Sequence, residues 1–174
     1  RFVLSAGHES MLLYSILHLV GWFKKKDIKQ FRQLDSNTPG HPEVKLPGVE
    51  ATTGPLGQGV GMAVGMALSE VFLNEIIGNL SNNAKDIINH YTYVLVGDGD
   101  LQEPISLGVA ALAGHWNLHK LIMFYDSNSA QISGNTNRAD STDITSVFEG
   151  FDWHVQKIDG HNHNAIRDAI QTAQ

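Results

Sequence analysis

Tyr91-Thr92-Tyr93-Val94-Leu95-Val96-Gly97-Asp98-Gly99 is the stretch on which the fold turns. An apolar run rich in β-branched and aromatic residues meets Gly-Asp-Gly, so it reads as a strand that stops at a turn. A second run, Leu121-Ile122-Met123-Phe124-Tyr125, leads in the same way into Asp126-Ser127-Asn128. Between Gly99 and Asn128 lie 28 residues, positions 100–127, room for one helix and one strand. The spacing therefore predicts Asp98 and Asn128 at the ends of two neighbouring strands in a parallel sheet. A carboxylate and an amide oxygen brought together there, beside flexible glycines, make a hard-cation site that can hold a diphosphate.

Working outward, Ser10 is a candidate cap for a helix carrying Leu12, Leu13, Ile16, Leu17 and Val20 and ending at Gly21. A shorter helix follows, with Ile28, Phe31 and Leu34 on one face. Residues 35–59 hold four prolines and five glycines in 25 positions, a density that no regular element survives. A loop this long that is not low-complexity points to function. Residues 57–75 read as a helix with Val60, Ala63, Val64, Ala67, Leu68, Val71 and Phe72 on one side. Gly61 and Gly65, four apart, suit close packing against another backbone. A polar surface loop over 78–89 comes next. Strand 91–96, a helix near 103–118, strand 121–125, a helix near 141–149, strand 153–158 and helix 163–173 complete the chain. Strands alternating with helices predict an α/β fold: a parallel sheet flanked by helices.

Composition narrows the function. The 174 residues suffice for one domain with a core, and 42% are apolar. A net charge of −6, with no basic block beyond Lys24-Lys25-Lys26, argues against a nucleic-acid surface. The absence of cysteine removes disulfides and thiolate metal sites and fits a reducing compartment. No uninterrupted apolar stretch approaches the roughly 20 residues of a membrane span. The chain opens without Met and ends inside a helical pattern, so both ends are expected to be truncated. The expected unit is a single partial domain, residues 1–174, of a longer chain.

Three further features could carry chemistry. In Thr52-Thr53-Gly54-Pro55-Leu56-Gly57-Gln58-Gly59, glycines around one leucine open a helix and let backbone approach a ligand. Of nine histidines, His8 and His41 each follow a glycine in a polar loop, where an imidazole can serve as acid, base or donor. His18, His90, His115, His119, His154 and the His161/His163 pair read as ordinary structural positions. Glu103 opens the helix after Gly-Asp-Gly, where the helix dipole alone is a sufficient reason for an acid. A dinucleotide fingerprint is absent, because Gly97-Asp98-Gly99-Asp100-Leu101-Gln102 lacks the third glycine, and there is no Walker lysine motif.

Together these segments resemble the N-terminal, diphosphate-binding domain of the transketolase family. The likeness is carried by Phe2-Val3-Leu4-Ser5-Ala6-Gly7-His8, Phe31-Arg32-Gln33-Leu34, Thr38-Pro39-Gly40-His41-Pro42-Glu43, the 52–59 loop, His90-Tyr91-Thr92-Tyr93, Gly97-Asp98-Gly99 and Asp126-Ser127-Asn128. It covers nearly the whole chain. The TPGHPE and TTGPLGQG strings are its most specific parts. The resemblance implies thiamine diphosphate and a divalent cation, Mg²⁺ or alternatively Ca²⁺ or Mn²⁺. Asp98 and Asn128 would hold the metal through side chains and Ala130 through its carbonyl. Gly99 would donate its amide to the diphosphate, Gly54 and Leu56 would contact the cofactor, and His8 would touch the diphosphate. His41 would face the reacting carbon and the substrate hydroxyls. Glu103 would join a glutamate network linking two active sites of a homodimer.

The implied reaction moves a two-carbon ketol unit from a ketose phosphate to an aldose phosphate, as in the pentose phosphate pathway, in the cytoplasm. The cofactor carries the chemistry and the protein positions it. Partners would be sugar phosphates and a second subunit, with no nucleic acid and no membrane. Other groups the family uses, including the glutamate that activates the cofactor, fall outside this sequence, so the isolated 174 residues are expected to be inactive. The chain departs from the family's pattern at Ser127 (usually Asp), at Ala130 (usually Ile) and over Asp100–Pro104, and it is one residue short near 21–31. Asp100 should weaken diphosphate binding unless it points away. A dihydroxyacetone synthase-like enzyme and a non-catalytic diphosphate-binding assembly subunit are the alternatives. TPGHPE argues against a 1-deoxyxylulose-5-phosphate synthase, and the missing glycine fingerprint against a plain Rossmann-type nucleotide binder.

Overall fold

The computed structural model describes residues 1–80, 87–132 and 134–174. Three parallel strands form the sheet in the order β1 (Phe2–Leu4), β2 (Thr92–Gly97), β3 (Leu121–Asp126). The register runs Leu4 beside Leu95 and Gly97 beside Asp126. The two apolar runs are therefore neighbours, as their spacing predicts. β1 is three residues long, too short to show a period, and joins the sheet through its backbone.

Alternation along the strands sends side chains to opposite faces. Val3, Val94, Val96 and Leu121 belong to one buried cluster with Val60, Ala63, Val64 and Ala67 of α3 (Gln58–Leu80), Ala110 and Ala113 of α5 (Pro104–His115), and Phe148 of α6 (Ile144–Gly150). Leu4 joins a second cluster with Leu13, Tyr14 and Leu17 of α1 (Ser10–Leu19), Phe23, Leu46 and Val49, and Phe2, Leu95 and Ile28 of α2 (Lys25–Lys29) pack against it. The sheet is thus flanked by helices on both faces. A short α4 (Asp98–Leu101) leaves β2 directly, a two-residue hairpin pairs β4 (Ala130–Gln131) with β5 (Gly134–Asn135), and α7 (His163–Ala173) closes the chain.

Several elements differ from the sequence reading. α3 starts at Gln58 and runs to Leu80, into the segment read as a loop, and residues 81–86 of that segment lie outside the described residues. Its 23 residues are long and apolar enough to cross a membrane by length and composition. Here its first half lies in the core, and buried Glu70 accepts from Lys120 Nζ at 2.7 Å. Leu68, Val71 and Phe72 are exposed, while the buried stripe of α3 runs through Ala63, Ala67 and Glu70. Residues 153–158 form no strand. Trp153 and Val155 do point inward, and the Trp153 indole donates to the Ala110 carbonyl at 2.9 Å, but the segment pairs with no strand among the described residues. Alternation reports which face a side chain takes, not whether a backbone partner is in reach. α6 starts late because Asp143 is its cap, accepting from Ser146 N and Oγ.

Residues 35–57 carry no regular element, yet they are tied down. Tyr14, fully buried, donates its hydroxyl to the Pro39 carbonyl at 2.9 Å and faces the His41 carbonyl at 3.3 Å. Ser10 Oγ donates to the Gly40 carbonyl at 2.8 Å instead of capping its helix. Thr53 Oγ1 donates to the Leu4 carbonyl at 2.6 Å. Side chains of α1 and the loop itself thus satisfy carbonyls that no ladder would reach.

Candidate functional site

The carboxyl ends of the three strands, the edge where parallel α/β sheets bind ligands, gather the predicted residues. His8 follows β1 within a 3₁₀ turn, Gly7–Glu9. Asp98 and Gly99 follow β2, and Asn128 and Ala130 follow β3. The 35–57 loop folds back onto this edge. A Cβ on Gly7 would lie 2.7 Å from Gly54 N, so only glycine allows that approach. The His41 ring packs against Gly54, and Leu56 Cδ1 against Gly99. Gly57, at φ +78°, turns the loop into α3, and a Cβ there would lie 2.7 Å from Glu103 Cβ. Glu103 is exposed and sits at the N-terminal boundary of α5 with no side-chain capping bond. His8 and His41 are exposed.

Asp100 organises this edge. It is fully buried. Its Oδ1 accepts from Ser5 Oγ and from Gly57 N, both at 2.8 Å, and its Oδ2 faces Gly97 N at 3.2 Å. One carboxyl group thereby joins the ends of β1 and β2 to the glycine-rich loop. It points into the protein and away from the exposed edge, so the expected repulsion of a diphosphate is replaced by a structural clamp.

Asp98 stands differently. Its Oδ1 accepts from the Tyr125 hydroxyl at 2.5 Å, while its Oδ2 is buried with no hydrogen-bond partner. Thr92 Oγ1, at the opposite end of β2, is the other such atom among the described residues. A buried oxygen without a partner is costly, and a cation removes that cost. The Tyr125 hydroxyl is pushed up to about 12, first by burial and then by its bond to Asp98. Across β3, Asn128 Nδ2 donates to Asp126 Oδ2 at 2.9 Å, and Asn128 Oδ1 accepts from Ala130 N at 2.9 Å. An amide oxygen keeps a second lone pair after one such bond. Among the described residues no group of three or more histidines and acids is placed to hold a metal. One carboxylate, one amide oxygen and one carbonyl make a sparse donor set of the kind Mg²⁺ completes with water and phosphate oxygens. The residues present therefore fit a cation-bound diphosphate.

Glu9 also faces this edge. Burial raises its pKa above the ordinary glutamate value, His8 pulls it down, and Asp126 and Asp100 push it up. Sequence reasoning did not find Glu9, Ser5 or Tyr125, because none carries a motif of its own and only packing brings each to the strand ends.

Fold and site together define a parallel α/β domain with a glycine-lined ligand edge at its strand ends. Residues 1–174 match the family model described as transketolase, thiamine diphosphate binding domain. The transketolase of Buchnera aphidicola subsp. Baizongia pistaciae is 52% identical over 176 residues, covering 99% of this chain and 26% of that protein. The Geobacillus stearothermophilus transketolase is 49% identical over 177 residues, covering 100% of this chain and 26% of that protein. The crystal structure of the Campylobacter jejuni transketolase superposes with a TM-score of 0.93 at 45% identity, over 99% of this chain and 27% of that one. A Pichia stipitis transketolase complexed with sedoheptulose 7-phosphate gives 0.92 at 42% identity, over 99% and 26%. The chain belongs to the transketolase thiamine diphosphate-binding domain family. It spans about a quarter of the length of the curated relatives it matches.

Proposed function

We propose that the protein to which this domain belongs transfers a two-carbon ketol unit from a ketose phosphate to an aldose phosphate. The domain, a partial unit of a longer transketolase-like chain, supplies its thiamine diphosphate and metal site. The observation that carries this is the buried, unpartnered Asp98 Oδ2, followed in the chain by Gly99 against which Leu56 packs, in a chain matched from end to end by the family. In this reading Asp98 and Asn128 hold the divalent cation through side-chain oxygens and Ala130 through its carbonyl. Gly99 donates its amide to the diphosphate, Gly54 and Leu56 flank the cofactor, and His8 donates to a diphosphate oxygen. When bound, thiamine diphosphate supplies the carbon nucleophile that breaks and remakes the carbon–carbon bond. In the same reading His41 holds a substrate hydroxyl and moves its proton. The metal is Mg²⁺, with Ca²⁺ or Mn²⁺ able to replace it, and the setting is the cytoplasm.

A homodimer is part of the proposal. Leu68, Phe72 and Ile76 on the outer side of α3, and Ile105 and Leu112 on α5 with Trp116 just after it, are exposed apolar side chains. A Cβ on Gly65 or Gly108 would meet nothing within 4 Å. Such a surface suits close packing of a second copy, and it brings Glu103, at the start of α5, to the rim.

The experiment is a calorimetric titration of thiamine diphosphate with Mg²⁺ into the full-length protein, wild type beside Asp98→Ala. Metal-dependent binding is expected in the wild type, with at least a hundredfold loss in the variant, followed by a positive ketol-transfer assay. A folded, dimeric wild type that binds nothing would sink the enzyme reading in favour of a non-catalytic assembly subunit.

A further inference from the structure

The two oxygens of Asp98 have opposite surroundings. Oδ1 is engaged by the Tyr125 hydroxyl, and Oδ2 is buried and free. We propose that Tyr125 is a positioning residue that restricts Asp98 to one-oxygen coordination and so sets the preference of the site for a small octahedral cation over a larger one. This rests on the metal-site reading above.

The register accounts for the geometry. Tyr125 pairs with Val96, one residue before Gly97, so its ring lies beside the end of β2 and its hydroxyl reaches the residue that opens α4. Tyr125 packs against the core cluster formed with α3 and α5, which limits the ring's freedom. An oxygen held by a short charge-assisted bond is a poor second ligand to the same ion.

Denticity matters differently to the two cations. Mg²⁺ demands octahedral geometry at about 2.0–2.1 Å and takes carboxylates one oxygen at a time, whereas Ca²⁺ accepts seven or eight oxygens and bidentate carboxylates. A donor fixed on Oδ1 disfavours the second arrangement. Removing it frees Oδ1 and also releases the orientation of the carboxylate. Absolute affinities therefore combine both effects, and the ratio of the two cations isolates denticity.

The test uses the full-length protein with thiamine diphosphate, titrated separately with Mg²⁺ and Ca²⁺, comparing wild type with Tyr125→Phe and Asp98→Ala. Binding is read by calorimetry and the thermal midpoint of each cation-free protein is recorded. The ratio of Ca²⁺ to Mg²⁺ affinity is expected to rise roughly tenfold in Tyr125→Phe, the scale of one charge-assisted hydrogen bond, with the midpoint little changed. An unchanged ratio overturns the proposal, whether both affinities stay the same or fall together with the midpoint, since a merely structural tyrosine does the latter. Metal-dependent binding in the wild type that Asp98→Ala abolishes leaves the site standing in that case. No metal-dependent binding in the wild type overturns the site and this inference together.

Discussion

The two sides of the strand-end site are built in opposite ways. On the β2 side, Asp100 and Gly97 are buried and Ser5, Gly57 and Gly97 converge on one carboxyl group. On the β3 side, residues 126–130 are all exposed, and among the described residues Asn128 is held by local bonds to Asp126 and Ala130. One side is fixed by long-range contacts before any ligand arrives. The other is a short turn that water can compete for. Holding a diphosphate needs a rigid half that aims backbone amides and a half open enough to admit the ligand and its cation.

That contrast can be broken on its rigid side first. Asp100→Ala leaves the Ser5 hydroxyl and the Gly57 amide buried without an acceptor, and a loss of about 3 kcal/mol in unfolding free energy is expected by denaturant titration. Asp100→Asn, which keeps one acceptor oxygen, should lose less. Equal stability of wild type and Asp100→Ala would mean that water or rearrangement satisfies these groups and that the clamp is not one.

A smaller effect of opposite sign is expected at Glu9. Its pKa is raised in the folded state, chiefly by burial, so its ionisation opposes folding. The favourable protonated form is complete below the unfolded value, and the advantage is lost as pH rises through the folded value. Glu9→Gln should therefore be slightly more stable than wild type at pH 7, with the gap closing below about pH 4. A stability difference that does not vary with pH would show that Glu9 acts through packing instead.

The smallest stability change belongs to the open side. Asn128→Ala removes exposed local bonds and should shift unfolding free energy by under about 0.5 kcal/mol. Metal-dependent cofactor affinity should nonetheless fall at least tenfold, on the order of one lost ligand. A large stability loss at Asn128 would erase the distinction between the two sides.

Much of this was legible in the sequence because it is local. Gly97-Asp98-Gly99 after one apolar run and Asp126-Ser127-Asn128 after another predicted neighbouring parallel strands, and the register of Gly97 beside Asp126 bears that out. The density of proline and glycine over 35–59 correctly excluded regular structure nearly up to the start of α3. Failures fell where a tertiary partner decided the outcome. The segment 153–158, read as a strand, turns Trp153 and Val155 inward but forms no strand, since a ladder needs a second backbone alongside. Leu68 and Phe72 of α3 are apolar, but they lie off the buried stripe, which passes between them at Glu70 and reaches Gly78.

Asp100 and Tyr125 show the same division at the level of chemistry. By itself the sequence determined the alternation of strands and helices, the positions of the glycines and the strings that carry the family likeness, because each depends on residues close together in the chain. Only the tertiary structure decided that Asp100 faces inward to three donors and that Tyr125 occupies one oxygen of Asp98. Both depend on contacts between residues up to 95 positions apart, and a hydrogen bond is set by distance and direction in space, not by sequence separation.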